Sequence, residues 1–139
     1  MLHSLCYISN SVDLWQSPKL EELFSYVKTK NIFRNITGLL LYNEGTFLHV
    51  LEGEIDIVST LLSKIEKDER HNQITVIMHR EINHRFFESY QTGLVLYREE
   101  KYLKRLKSKL QLPNISKYSQ SLGAILQSFT YQHQSLVGA

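Results

Sequence analysis

The chain predicts an α+β sandwich of ferredoxin-like βαββαβ order, with an extra strand and a C-terminal two-helix extension. Three observations carry that prediction. Apolar residues recur at helical spacing in two separate stretches, one around Leu23 and one around Leu61. Short apolar runs flank both stretches, and an Asn-Glu-Gly turn joins two of those runs. Each helical stripe needs a surface to bury itself against, and one face of an antiparallel sheet serves two helices at once.

Leu2 to Ser9 reads as a buried strand, apolar at Leu2, Leu5, Cys6, Tyr7 and Ile8. Asn10, Ser11 and Asp13 break it. Ser17-Pro18 opens the first helix, because serine caps a free backbone N–H and proline sacrifices no needed donor there. Leu20, Leu23, Phe24 and Val27 then fall at i, i+3, i+4 and i+7. Lys28 and Lys30 suit the negative end of the helix dipole. Asn31 falls just past the helix, where asparagine tolerates the left-handed geometry of a C-cap. Ile36, Gly38 and Leu39 to Tyr42 make the next strand, Asn43-Glu44-Gly45 the turn, and Thr46 to Leu51 the return. Ile57, Val58, Leu61, Leu62 and Ile65 stripe the second helix, which closes on Lys67-Asp68-Glu69-Arg70. Ile74 to Met78 is a β-branched strand, and Gln91 to Tyr97 supplies the extra one.

The tail differs in character. Arg98 to Leu110 reads as a basic helix with Tyr102, Leu103, Leu106 and Leu110 inward, and Pro113-Asn114 ends it. Ile115, Tyr118, Leu122, Ile125 and Phe129 stripe a second helix, which frays after Tyr131. The chain thus divides into a domain at 1–97 and a helical extension at 98–139. That extension either caps the bare face of the sheet or mediates assembly, and capping is the architecture the layer rules favour.

With 139 residues, 42% of them apolar, the chain has one domain's worth of core. Sixteen basic against fourteen acidic residues give +2, too balanced for a protein that coats nucleic acid. The excess is local: Arg98 to Lys109 holds six basic and two acidic residues, a net +4, so the remainder stands at −2. Cys6 is the single cysteine, which rules out an internal disulfide or a cysteine-based zinc site. No apolar run approaches a membrane span, so the expectation is a cytoplasmic domain without membrane contact.

General catalytic templates are missing. There is no glycine-rich phosphate loop, no serine between glycines, and no HExxH helix. The six histidines (His3, His49, His71, His79, His84 and His133) never pair at metal-ligand spacing. More informative are polar residues in otherwise apolar elements. Tyr7 sits mid-strand, and His49 lies between Leu48 and Val50 in the hairpin. Each has a bland reading beside it: a satisfied core histidine for His49, a surface charge cluster for Asp68, Arg70 and His71.

Taken together, these residues form a pattern. Tyr7, Asn31 and Thr37-Gly38 lead into Gly45-Thr46-Phe47-Leu48-His49-Val50-Leu51-Glu52-Gly53. Asp68-Glu69-Arg70-His71 and Arg85-Phe86-Phe87 follow. From about Leu2 to Leu96 the chain resembles the BLUF family, blue-light sensors that use FAD, in its short single-domain form. The resemblance implies a ferredoxin-like fold holding FAD between its two helices. Leu23, Val27, Phe47 and Ile65 would wall the flavin ring, and Asn31 would bond its pyrimidine end. Lys64, Asp68, Arg70 and His71 would lie by the ribityl and diphosphate portion.

The resemblance also assigns a photochemical pair. The family's tyrosine, here Tyr7, gives an electron and a proton to the excited flavin, and a glutamine beside it rearranges its hydrogen bonds. His49 occupies that glutamine position. A neutral imidazole carries one donor and one acceptor, but on opposite sides of its ring, so it cannot repeat the amide's movement. In the relay strand the family's tryptophan and methionine positions read Tyr90 and Thr92. The expectation is an FAD-binding photoreceptor-like signalling domain, not an enzyme, working through protein contacts as a homo-oligomer or with a downstream partner. His49 alters or abolishes its photocycle. The alternatives are a light-insensitive interaction module and, further off, an acylphosphatase-like enzyme. For the latter no phosphate cradle can be assembled.

Overall fold

The computed structural model describes residues 1–11, 17–43, 45–69, 71–87 and 116–137. Four strands form one antiparallel sheet in the order β2-β3-β1-β4, where β1 is Leu2–Ser11, β2 Thr37–Asn43, β3 Thr46–Glu54 and β4 His71–Glu81. Helix α1 (Ser17–Phe33) links β1 to β2 and skips β3; helix α2 (Ile55–Glu66) links β3 to β4 and skips β1. Two such interleaved crossovers are the ferredoxin-like arrangement the sequence predicts. The chain divides into two compact units, Met1–Leu96 and Tyr97–Ala139.

Alternation along the strands sorts the core. On one face Leu5, Tyr7 and Leu51 pack with Ile36 and with Val58 and Leu61 of α2. Leu23 of α1 packs with Leu40, Tyr42 and Phe47, and Val27 lies against them. Cys6, Leu39, Leu41, Leu48 and Val50 point to the other face and are buried as well. The hairpin runs through Gly45, whose φ of 92° is the positive value its turn demands. Gly38 answers a different constraint: a Cβ there would stand 1.8 Å from the Val50 carbonyl oxygen, so only glycine lets β2 lie this close to β3.

Several boundaries differ from the sequence reading. Helix α1 runs to Phe33, so Asn31 lies inside it and is buried, not a C-cap. The cap is Asn35, with φ 52°. Its N–H donates to the Ile32 carbonyl at 3.1 Å, while the Ile36 N–H donates to the Asn31 carbonyl at 2.9 Å. Those two bonds make a Schellman ending, and the apolar Ile36 then enters the core. In α2 the inward stripe begins at Val58, and Ile57 faces outward. Strand β4 is eleven residues long, extending the Ile74–Met78 run in both directions. Two register shifts against β1 and a positive φ at Gln73 mark bulges in that pairing.

In the second unit helix α3 spans Lys117–Val137, continuing past the Tyr131 end expected for it, and Tyr118, Leu122 and Phe129 of its apolar stripe are buried. The expected strand Gln91–Tyr97 and helix Arg98–Leu110 lie outside the described residues. Among the described residues no helix is long and apolar enough to cross a membrane. No group of three His, Cys, Asp or Glu there is placed to hold a metal.

One buried polar group ties three segments together. Glu52 is fully buried, and its carboxyl group accepts from the Phe86 N–H at 2.8 Å, the Phe87 N–H at 3.0 Å and the Thr37 hydroxyl at 2.8 Å. Arg85 donates to Thr37 Oγ1 at 3.0 Å and to the Glu52 backbone carbonyl at 2.9 Å. A buried carboxyl group is tolerated because its acceptor sites are satisfied in this way. Glu52→Ala strands two backbone donors and a hydroxyl, and urea denaturation should show a loss of roughly 3 kcal/mol or more. Glu52→Gln, which keeps one acceptor, should lose less.

Burial also pushes the Cys6 thiol from its ordinary value of 9.0 up to about 12. Since the folded value stands above the unfolded one, the associated stability is intact below pH about 9 and is lost as pH rises toward 12. In alkaline denaturation Cys6→Ala should therefore lose stability less steeply than the parent over that window. At pH 8 a thiol reagent should modify Cys6 only as fast as the chain unfolds.

Candidate functional site

A cleft opens between α1 and α2 over the sheet. Its floor comes from Tyr7 on β1, Phe47 and His49 on β3, and Leu40 on β2. Period-two alternation brings these side chains up together: Tyr7 is the register partner of His49 in the β1–β3 ladder, and His49 is the partner of Leu40 in the β2–β3 ladder. Helix α1 contributes Leu23, Tyr26, Val27, Lys30 and Asn31 to one wall, joined by Arg34 just past its end, and α2 with its exit turn contributes Leu61, Lys64, Ile65 and Asp68 to the other. The cavity measures about 160 Å³. That is comparable to an apolar cavity known to admit an aromatic ring.

The floor carries a buried polar pair. Tyr7 Oη lies 2.9 Å from His49 Nδ1, and the two rings meet edge-on at 66° with centroids 5.4 Å apart. Both residues are only 4% exposed, so the bond is shielded from bulk water. With the proton of the imidazole on Nε2, Nδ1 accepts from the tyrosine hydroxyl. Around this centre the walls are apolar, and the rim is charged by Lys30, Arg34, Lys64 and Asp68. Lys30 Nζ also stands 5.7 Å over the Tyr26 ring, a cation–π distance.

The cleft gathers Tyr7, Leu23, Val27, Asn31, Phe47, His49, Lys64, Ile65 and Asp68 from the sequence-predicted set. Arg70, Tyr90 and Thr92 lie outside the described residues, and for His71 the backbone alone is described. Sequence reasoning missed Tyr26, Lys30, Arg34, Leu40 and Leu61 as cleft residues. The signal for three of them was present. Leu23, Tyr26, Val27, Lys30, Asn31 and Arg34 follow one helical stripe at i, i+3, i+4, i+7, i+8 and i+11. Ending the helix at Lys30 cut that stripe short.

The donor set suits a flat, amphipathic ring system bearing an anionic extension. Apolar side chains line both walls and the floor, the buried Asn31 amide offers a donor and an acceptor, and three rim cations meet one carboxylate. Tyr7→Phe keeps the ring volume but removes the hydroxyl from His49 Nδ1. It should lower stability in urea by about 1 kcal/mol.

Comparison with known proteins agrees with this geometry. The family model for BLUF, sensors of blue-light using FAD, matches residues 2–93. The blue light- and temperature-regulated antirepressor BluF of Escherichia coli is 33% identical over 78 residues, which are 56% of this chain and 19% of that protein. Photoactivated adenylate cyclase subunit beta of Euglena gracilis is 31% identical over 91 residues, 66% of this chain and 11% of its own length. The chain thus spans between about a tenth and a fifth of these relatives. Among solved structures, Klebsiella pneumoniae BlrP1 with FMN and cyclic diGMP superposes with a TM-score of 0.77 at 25% identity, covering 96% of this chain and 37% of that one.

Proposed function

Because this chain belongs to the BLUF family, whose cofactor is FAD, we propose that residues 1–97 bind FAD in the cleft between α1 and α2 and serve as a blue-light input module with a photocycle reshaped by His49. The observation that carries this reading is the shielded 2.9 Å hydrogen bond between Tyr7 and His49 on the cleft floor. When bound, the flavin supplies blue-light absorption and an electron acceptor. Everything else belongs to the side chains. Leu23, Val27, Phe47 and Ile65 flank the ring, and Asn31 bonds its polar edge. Lys64 and Asp68, with Arg70 and His71, serve the ribityl and phosphate portion, where cations offset phosphate charge.

Tyr7 holds its proton against a base. A phenol that has given up an electron is a strong acid, and His49 Nδ1 is within reach to take the proton. In the family a glutamine amide answers by exchanging donor and acceptor at one planar end. An imidazole has its two nitrogens on opposite sides of the ring, so His49 answers by gaining or losing a proton. Tyr90 and Thr92 then relay the change outward. The C-terminal segment 98–139 carries it to a second copy of the chain or to another cytoplasmic protein. Two relatives that carry such a region within much longer chains, a cyclase subunit and an antirepressor, support an input-module role.

A second reading is a flavin-binding interaction module that no longer senses light. The same hydrogen bond favours it, because an imidazole held by Tyr7 cannot rearrange as an amide does. The visible spectrum, recorded in the dark and after blue illumination, separates the two. A flavin band that moves to the red and recovers in darkness is the expected result, and Tyr7→Phe should abolish the movement while retaining FAD. A stationary flavin band identifies the light-insensitive module. A colourless protein that refuses added FAD overturns both.

A further inference from the structure

The Tyr7–His49 bond can run in two directions, and the direction depends on one proton. With a neutral ring protonated on Nε2, Nδ1 accepts from the Tyr7 hydroxyl. With a second proton on the ring, both nitrogens are donors, and the bond across the same 2.9 Å must reverse so that Tyr7 Oη accepts. Neither ring has to move; only the Tyr7 hydroxyl hydrogen turns away from Nδ1. We infer that the cleft floor is a proton-operated hydrogen-bond switch, in which protonation of His49 reverses the Tyr7–His49 bond and turns a ring that lines the cleft into a cation, a stronger donor to the cofactor in darkness. The inference rests on the FAD reading and adds a regulator to it, the proton activity of the medium.

Packing makes the reversal clean. Tyr7 and His49 are register partners on two strands of the sheet, so neither backbone can move away from the other without breaking the ladder. Both side chains are buried, which leaves bulk water little access to replace the bond. The charged and titratable groups that share the cleft are Tyr26 and Lys30 from α1, Arg34 just past it, Lys64 from α2 and Asp68 from its exit turn. Leu40, the register partner of His49 on β2, adds none. Among the described residues the balance is three cations to one carboxylate.

Two readouts test this together. Nitrogen-15 NMR of His49 in the apoprotein counts the protons on its ring as pH is lowered from 8.5 to 5, while circular dichroism follows the fold. The dark visible spectrum of the FAD-loaded protein is recorded over the same range. The expected result is a red shift of the flavin band on acidification, reversible, accompanying the gain of the second ring proton. It should be absent in a His49→Gln variant that still binds FAD. A band that stays in place while His49 takes up its proton overturns the inference and leaves the FAD reading intact. So does a ring that stays neutral until the fold is lost. Failure to take up FAD at any pH instead removes the reading beneath it.

Discussion

The buried carboxyl group of Glu52 is the constraint on which the rest of the domain depends. Three donors converge on it from β2 and from the segment after β4, and Arg85 closes the set through Thr37 and the Glu52 carbonyl. A buried carboxyl group without those partners would cost more than the fold can spare, so the alternatives to this register are penalised. The consequence reaches the other face of the sheet. Residues of β3 alternate, and with Glu52 assigned to one face, Phe47, His49 and Leu51 are assigned to the opposite one. A slip of a single residue would bury Leu48 and Val50 under the helices and turn His49 away from Tyr7.

Strand β3 therefore carries two jobs on its two faces. It is paired on both edges, with β1 and with β2, and almost all its side chains are buried. Such a strand offers little freedom, which suits a site whose polar pair has to stay within hydrogen-bonding distance. It also constrains what chemistry a substitution at position 49 can supply. A glutamine can turn its planar end in place, whereas an imidazole pinned to Tyr7 changes by moving protons.

The cleft has a similar division of labour. Its apolar walls follow directly from the two helical stripes that build the core, since the inner edge of each stripe packs on the sheet and the outer edge faces the gap. The charged rim comes from the last turns of both helices and the turns that follow them. In α1 that rim exists because the helix continues one turn beyond Lys30 and stops on Asn35, where a left-handed residue and two backbone bonds close it. Had the helix ended earlier, Arg34 would not stand on the cleft side.

By itself the sequence determined the order of elements from β1 to β4, the hairpin, and the faces of Tyr7 and His49 on their strands, because these depend on periodicities of two and 3.6 within a short window. It also singled out the residue set around Tyr7, Asn31 and His49, through a resemblance carried by local motifs. Tertiary structure decided the partners. Tyr7 and His49 are 42 positions apart, and Glu52 meets Phe86 and Phe87 across 34 and 35. No local pattern encodes such pairings; they follow from strand register, which is settled only when both faces of the sheet are buried at once. The same reason explains the helix boundary missed at Asn31. Lysine and asparagine look like a helix end in isolation, and it is the docking of Ile36 into the core that carries α1 one turn further.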